Sequence, residues 1–399
     1  MSNWLLPENI SDVLPQEARR VEQLRRALLD LYRSFGYEYV IPPLIEHLES
    51  LLSGTDRDLD LRTFKLVDQS SGRSLGVRAD ATPQTARIDA HILNRNGVVR
   101  LCYAGSVLHA RPLHPLASRE PIQVGAELYG DAAIEADGEV LQLAARSLEL
   151  TGATDVRIDL GHSGVLRALL AAEHLAPDRL DDILRALNSK DLAALKSGAT
   201  ALSPSVREAL LRLADLHGGV PVLARARREL PASAELTAAL SELEQLAAFC
   251  PAGTASVDLA DLHGYRYYTG ATFAAYVTGS PGPILRGGRY DDIGRMFGRA
   301  RPATGFSIVD LREATQLAGP AAAPKAILAP HAADPELEAL VAALRVQGQI
   351  VVRSAERQVA EADFEFDREI RRVGARWQVV AREARSSSNG SAEAQADGR

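Results

Sequence analysis

Four short blocks of this sequence bring together side chains that could accept and orient hydrogen-bond donors. Asp80 and Thr82 stand in Val77-Arg78-Ala79-Asp80-Ala81-Thr82, and Gln123 and Glu127 in Gln123-Val124-Gly125-Ala126-Glu127-Leu128-Tyr129-Gly130. Tyr267 and Tyr268 stand in Gly264-Tyr265-Arg266-Tyr267-Tyr268-Thr269-Gly270, and a glycine pair opens Gly287-Gly288-Arg289-Tyr290-Asp291. Carboxylates accept hydrogen bonds from ammonium or ring N–H groups, while amides and hydroxyls fix geometry. Each block also has a purely structural reading. Asp80, Thr82 and Pro83 are the residue types of a helix start, where an Asp or Thr oxygen takes a free backbone N–H and Pro suits the first turn. Adjacent tyrosines suit a half-buried strand, and a Gly-Gly-Arg-Tyr run suits a turn. A capping residue can also face a ligand, so the two roles of Asp80 are compatible.

The elements that must position these residues follow from periodicity. Val21, Leu24, Leu28, Leu31, Tyr32 and Phe35 mark one apolar face of a helix over residues 16–35. Gly36 ends it, and Tyr37 to Ile41 alternates like a strand before Pro42-Pro43. Residues 63–78 read as a hairpin turning at Ser70-Ser71-Gly72-Arg73, and Val98 to Tyr103 and Ile122 to Tyr129 as further strands. Residues 165–250 are rich in Ala and Leu and helical in period, a helical insertion. Strand-like sequence returns over 256–277 and near Leu285. Short strands joined by turns, with helices on one side, indicate an α+β fold with an antiparallel sheet. Gly319 to Pro324 has linker composition. A small α/β unit follows over 325–385, with strands at Ala326–Ala329, Ile350–Val352 and Trp377–Ala381 and a helix from Pro335 to Arg345. Ser386–Arg399 is expected to be disordered.

Bulk properties narrow the function classes. The 399 residues suit two or three compact units, and no apolar run approaches the roughly 20 residues that span a bilayer. The N-terminus lacks a basic region followed by an apolar stretch, and Cys102 and Cys250 fit free thiols in a reducing compartment. These features point to the cytoplasm. Lys and Arg total 45 against 52 Asp and Glu, a net charge of -7. That balance lowers the expectation of a protein that grips nucleic-acid backbone.

Taken in order, the four blocks resemble segments of the histidyl-tRNA synthetase family, over roughly the first 315 residues. They are similar to its Leu-Arg-Pro-Glu-Gly-Thr, Gln-x-Gly-x-Glu and Gly-Leu-Asp-Tyr-Tyr segments and to the lead-in to its third class-defining motif. The resemblance implies the antiparallel sheet of class II aminoacyl-tRNA synthetases. It implies that residues 1–320 form the core and that the helix 16–35 and the strand ending at Pro42 build a homodimer contact. It also implies a pocket for free histidine, with Asp80, Thr82 and Gln123 on the amino-acid head and Glu127 and Tyr268 on the imidazole.

Departures from the family concern its activation chemistry. Amino-acid activation gathers negative charge on the α-phosphate of ATP, which the family meets with arginines. Leu108-His109-Ala110-Arg111 stands where the family has Phe-Arg-x-Glu, placing His109 for the arginine and Arg111 for the acid. His263 stands for the arginine before Gly-Leu-Asp-Tyr-Tyr. A histidine near its ordinary pKa is mostly neutral at pH 7 and lacks the guanidinium fork. Val309 and Leu311 stand for a Gly and a Glu of the third motif, although Arg312 remains. The C-terminal unit resembles a shortened anticodon-binding domain, and the acidic run Glu361 to Asp367 disfavours phosphate.

The combination of a retained histidine pocket with altered ATP and tRNA sites resembles the family of regulatory subunits of the first enzyme of histidine biosynthesis. Leu160-Gly161-His162-Ser163-Gly164 resembles that family's Leu-Gly-His-x-Gly segment. The resemblance implies a non-catalytic subunit with no metal or cofactor, whose partner is a short-form ATP phosphoribosyltransferase catalytic subunit. It implies histidine as effector, with no role at a membrane or on tRNA. The competing reading is a working histidyl-tRNA synthetase, in which His109 or His263 would have to replace an arginine. A stress-kinase synthetase-like domain lacks support because no kinase motif is present, and an ATP-dependent protein-modifying relative would need the missing arginines.

Overall fold

The computed structural model describes residues 4–52, 57–319, 322–353 and 364–382. Its compact units are Met1–Gly319 and Pro320–Arg399. The run Ser386–Arg399 and the acidic residues 361–363 lie outside the described residues.

In the first unit the amphipathic pattern near the N-terminus becomes the helix Pro15–Ser34, which buries Val21, Leu24, Leu28 and Tyr32. Two short strands follow, β1 (Glu38–Tyr39) and β2 (Ile45–His47), and then the hairpin β3 (Phe64–Val67) and β4 (Ser74–Val77). Next along the chain are β5 (Val99–Ser106), β6 (Ile122–Tyr129), β7 (Val156–His162), β8 (His217–Gly218), β9 (Ala255–Asp258), β10 (Ala271–Val277), β11 (Leu285–Arg289) and β12 (Ala303–Ile308).

Nine of these strands form one sheet in the order β1-β5-β6-β12-β11-β10-β7-β9-β8, and β2-β4-β3 form a second, small sheet. Neighbours in the large sheet run antiparallel except at β1–β5 and β7–β9. The architecture is α+β with a mainly antiparallel sheet. The chain crosses from β6 to β7 and later returns through β10, β11 and β12, so residues far apart in sequence share the middle of the sheet.

One face of that sheet is apolar. Val124, Ala126 and Leu128 of β6 and Phe306 and Ile308 of β12 point into a core shared with Val140, Leu141 and Leu148 of the helix Ile134–Leu150. Side chains alternate across a strand, so Gln123, Gly125 and Glu127 must then face the opposite side. Arg289 ties β11 to the same helix by donating to Asp137 Oδ2 from Nε at 2.9 Å and Nη2 at 2.7 Å, with both side chains buried. The helices of residues 165–250 do not have a core of their own. Ile183, Leu187, Leu210 and Leu240 belong to one buried cluster with Ile158, Leu160 and Val257 of the sheet.

One expectation is corrected. The strand-like stretch 256–277 is interrupted after β9, and Gly264 to Tyr268 form turns before β10 begins. Gly287, Gly288 and Arg289 lie within β11, in keeping with the strand-like reading near Leu285 and not with the turn that the run alone would suit. The second unit contains β13 (Lys325–Ala329), the helix Pro335–Val346, β14 (Val351–Arg353), β15 (Glu365–Val373) and β16 (Arg376–Ala381), ordered β14-β13-β15-β16. Ile327, Leu337, Val341, Val351 and Ile370 form its main core. No described helix is long and apolar enough to cross a membrane.

Candidate functional site

The polar face of the sheet opens into a cavity of about 490 Å³ whose lining includes Asp80, Thr82, Gln123, Glu127 and Tyr268. All five sequence-selected residues therefore meet in one place. Glu127 lies at its floor, 1% exposed. Its Oε1 accepts from Thr82 Oγ1 and Tyr103 OH, both at 3.0 Å, and its Oε2 accepts from Tyr290 OH. Burial raises its pKa to about 8, against the three hydroxyl donors that pull it down, and the nearby Asp80 adds to the rise. The carboxyl fits because its cross-strand partner is Gly305. A Cβ there would lie 1.6 Å from Glu127 Oε2.

Asp80 lines the cavity and also braces the start of a helix. Its Oδ1 accepts the Thr82 backbone N–H at 3.0 Å, at the start of the helix Thr82–Arg87, and the Gln123 Nε2–H at 3.0 Å. Gln123 Oε1 accepts the Ala81 N–H at 2.9 Å, and Gln123 Nε2 also donates to Ser307 Oγ at 3.1 Å. The side chains that would receive a ligand's polar head thus hold one another in place.

Tyr267 and Tyr268 come from the turn before β10. Both backbone N–H groups donate to the Gly264 carbonyl at 2.8 Å. Gly264 has φ +72, and a Cβ there would lie 2.8 Å from the Tyr268 ring. Arg167, from the helix Ser163–Leu170, pins the turn by donating to the carbonyls of Tyr265, Tyr268 and Thr269. Tyr267 stacks on Tyr290 with centroids 5.0 Å apart and meets Tyr268 edge-on at 5.1 Å, forming an aromatic wall.

The three altered positions diverge. His109 lines the cavity but is buried, and its Nε2 is 3.0 Å from the Ala79 carbonyl, so this nitrogen is the donor. That bond braces the loop that carries Asp80. His263 also lines the cavity, is exposed, and places Nδ1 2.5 Å from Asp261 Oδ1. Burial would raise the Asp261 carboxyl, but the bond to His263 and the field of Arg286 outweigh it and hold it at about 2. Arg111 is exposed and is not part of the lining.

Sequence reasoning missed several lining residues. Tyr290 stood within a matched block yet carried no assigned role, and Ser307 and Arg286 reach the cavity only because β12 and β11 lie beside β6. Tyr103, on the β5 side, completes the cage around Glu127. Alternation along β6 shows which of its residues face together, but the order of strands in the sheet is not a local property of the sequence.

This fold and this cavity define a histidyl-tRNA synthetase-like protein. The family model described as histidyl-tRNA synthetase matches residues 9–314, and the model described as the ATP phosphoribosyltransferase subunit HisZ C-terminal domain matches residues 324–380. Within that class, the chain belongs to the ATP phosphoribosyltransferase regulatory subunit family. It is 54% identical over 384 residues to the regulatory subunit of Cupriavidus metallidurans, covering 96% of this chain and 100% of that protein. A solved structure titled as an ATP phosphoribosyltransferase regulatory subunit/histidyl-tRNA synthetase from Bacillus halodurans is similar with a TM-score of 0.79 and 27% identity, covering 92% of this chain and 98% of that one. The histidyl-tRNA synthetase of Nostoc sp. PCC 7120, at 19% identity and a TM-score of 0.73 over 93% of this chain and 91% of that one, shares the fold.

Proposed function

We propose that this chain acts without catalysis of its own, assembling with a short-form ATP phosphoribosyltransferase catalytic subunit and binding histidine as effector in the cavity above β6. The observation that carries this reading is the convergence of Asp80, Thr82, Gln123, Glu127 and Tyr268 in one cavity whose positions 109 and 263 hold histidines. The ammonium of histidine would lie by Asp80, Gln123 and Thr82, and its imidazole between Glu127 and Tyr268. Neither His109 nor His263 presents a guanidinium fork to a phosphate. His109 is further tied to the Ala79 carbonyl, which supports a bracing role in place of catalysis. The complex would work in the cytoplasm, as a homodimer of this chain within a hetero-oligomer, and would have no role on tRNA.

The purified chain is expected to give no histidine-dependent exchange of pyrophosphate into ATP and no charging of tRNA. Exchange at a rate usual for enzymes, about 1 per second or faster, would establish a synthetase and overturn the non-catalytic reading.

A further inference from the structure

Arg286 lines the cavity from β11, half-buried. Among the described residues its guanidinium makes no hydrogen bond or ion pair, although its field reaches Asp261. Other arginines nearby differ. Arg289, three residues on, is fully engaged with Asp137, and Arg301 is engaged with Asp89.

Its place in the sheet is defined by register. Arg286 lies opposite Ser307 of β12, and Ser307 Oγ accepts from Gln123 Nε2, which also donates to Asp80. Asp80, Gln123, Ser307 and Arg286 therefore form a line across the helix start and three adjacent strands. Directly opposed residues of an antiparallel pair are about 4.5–5.5 Å apart. The ammonium and carboxylate of an α-amino acid share one carbon, and Arg286 lines the same cavity as Asp80 and Gln123, one strand beyond Ser307. At the near end of the line stand acceptors suited to an ammonium. At the far end stands a cation with a bidentate fork and no protein partner.

The acidic groups of the cavity favour such a cation. Asp80, Asp310 and Glu313 belong to its lining, with Arg62 and Arg286 as its arginines, and an incoming carboxylate would meet these acids with neither position 109 nor 263 supplying a fork. We infer that Arg286 is the receptor for the α-carboxylate of the bound amino acid, a specificity-determining residue that moves the cation of the site from the loop at position 263 to the strand β11. This rests on the proposal that histidine occupies the cavity. It adds that the site selects an intact amino acid over the corresponding amine.

Calorimetric titration of the full-length chain with histidine and with histamine, which keeps the ring and ammonium but lacks the carboxylate, tests it. The wild-type chain should bind histidine more tightly than histamine. Arg286→Met should weaken histidine roughly tenfold to a hundredfold, the range for losing a charge-assisted contact, and leave histamine unchanged. Arg286→Lys, which keeps the charge without the fork, should fall between. Unchanged histidine affinity in Arg286→Met, with Glu127→Gln still weakening it, would overturn the role of Arg286 and leave the cavity reading standing. Equal weakening of histidine and histamine by Arg286→Met would show that the arginine only shapes the strand. No histidine binding by the wild-type chain, or binding insensitive to Glu127→Gln, would overturn the cavity reading itself and Arg286 with it.

Discussion

Glu127 is a carboxyl enclosed by three hydroxyl groups, and burial raises its pKa to about 8, which keeps it mostly protonated at neutral pH. Because the folded state binds this proton more tightly than the unfolded chain, where the pKa is near 4.5, the stabilising contribution is complete below about pH 4.5. It declines as pH rises and is lost above about pH 8. The difference in melting temperature between the wild-type chain and Glu127→Gln should therefore change in favour of Gln between pH 5 and 8.5, as read by thermal unfolding. The same substitution leaves a desolvated ring N–H poorly matched. It should weaken histidine binding by about 1–3 kcal/mol, or tenfold to a hundredfold, while leaving assembly with the catalytic subunit intact. Inhibition curves on the complex check this, and unchanged inhibition would place the effector elsewhere. Asp80, Gln123 and Glu127 were legible in the sequence through the blocks that resemble the synthetase family, and the strand and helix start that carry them are local patterns. Arg286 and Ser307 were not, because their proximity to Gln123 comes from strand order.

At the scale of elements, the site depends on β6 and β12 approaching without a side chain between them. Gly305 leaves the space that the Glu127 carboxyl fills. Gly305→Ala should force Glu127 out of its cage of hydroxyls, abolish histidine binding and lower stability by about 1–3 kcal/mol, the usual cost of overpacking. Denaturant unfolding and calorimetry on one preparation measure both. The hairpin β3–β4 and the strands β5 and β6 were readable from period and turn residues. The aromatic turn at 264–268 was not, since the same alternation suits a strand. It takes the positive φ of Gly264 and the three carbonyls gathered by Arg167 to curl the chain there. The strand β15 was missed for a related reason. Its pairing with β13 shifts register between Ala326 and Ile327, and it buries Phe366, Glu369 and Ile370, so no strict two-residue alternation survives.

At the scale of the whole molecule, the helix Pro15–Ser34 cannot supply the dimer contact with its apolar stripe. Val21, Leu24, Leu28 and Tyr32 are already buried in the core of their own chain. The segment after it is another matter, for Tyr39, Ile41, Leu44 and Ile45 are all exposed, Ile41 to 78%. A cluster of this kind suits a two-fold contact. Light scattering should show a dimer at micromolar concentration, converted to monomer by Ile41→Glu; a wild-type monomer would contradict the contact. The fold class was legible across the chain because turn signals and strand lengths repeat throughout the sheet. That the helices of 165–250 share the sheet's core was not, because their periodicity shows an apolar face without showing what covers it. The family assignment concerns the chain as a whole, and it is tested most directly by the activity of a short-form ATP phosphoribosyltransferase catalytic subunit assayed alone and with this chain, each across a histidine titration. The chain should bind the catalytic subunit, raise its activity and make that activity sensitive to histidine. Activity and histidine response identical with and without the chain would contradict its role as a regulatory subunit.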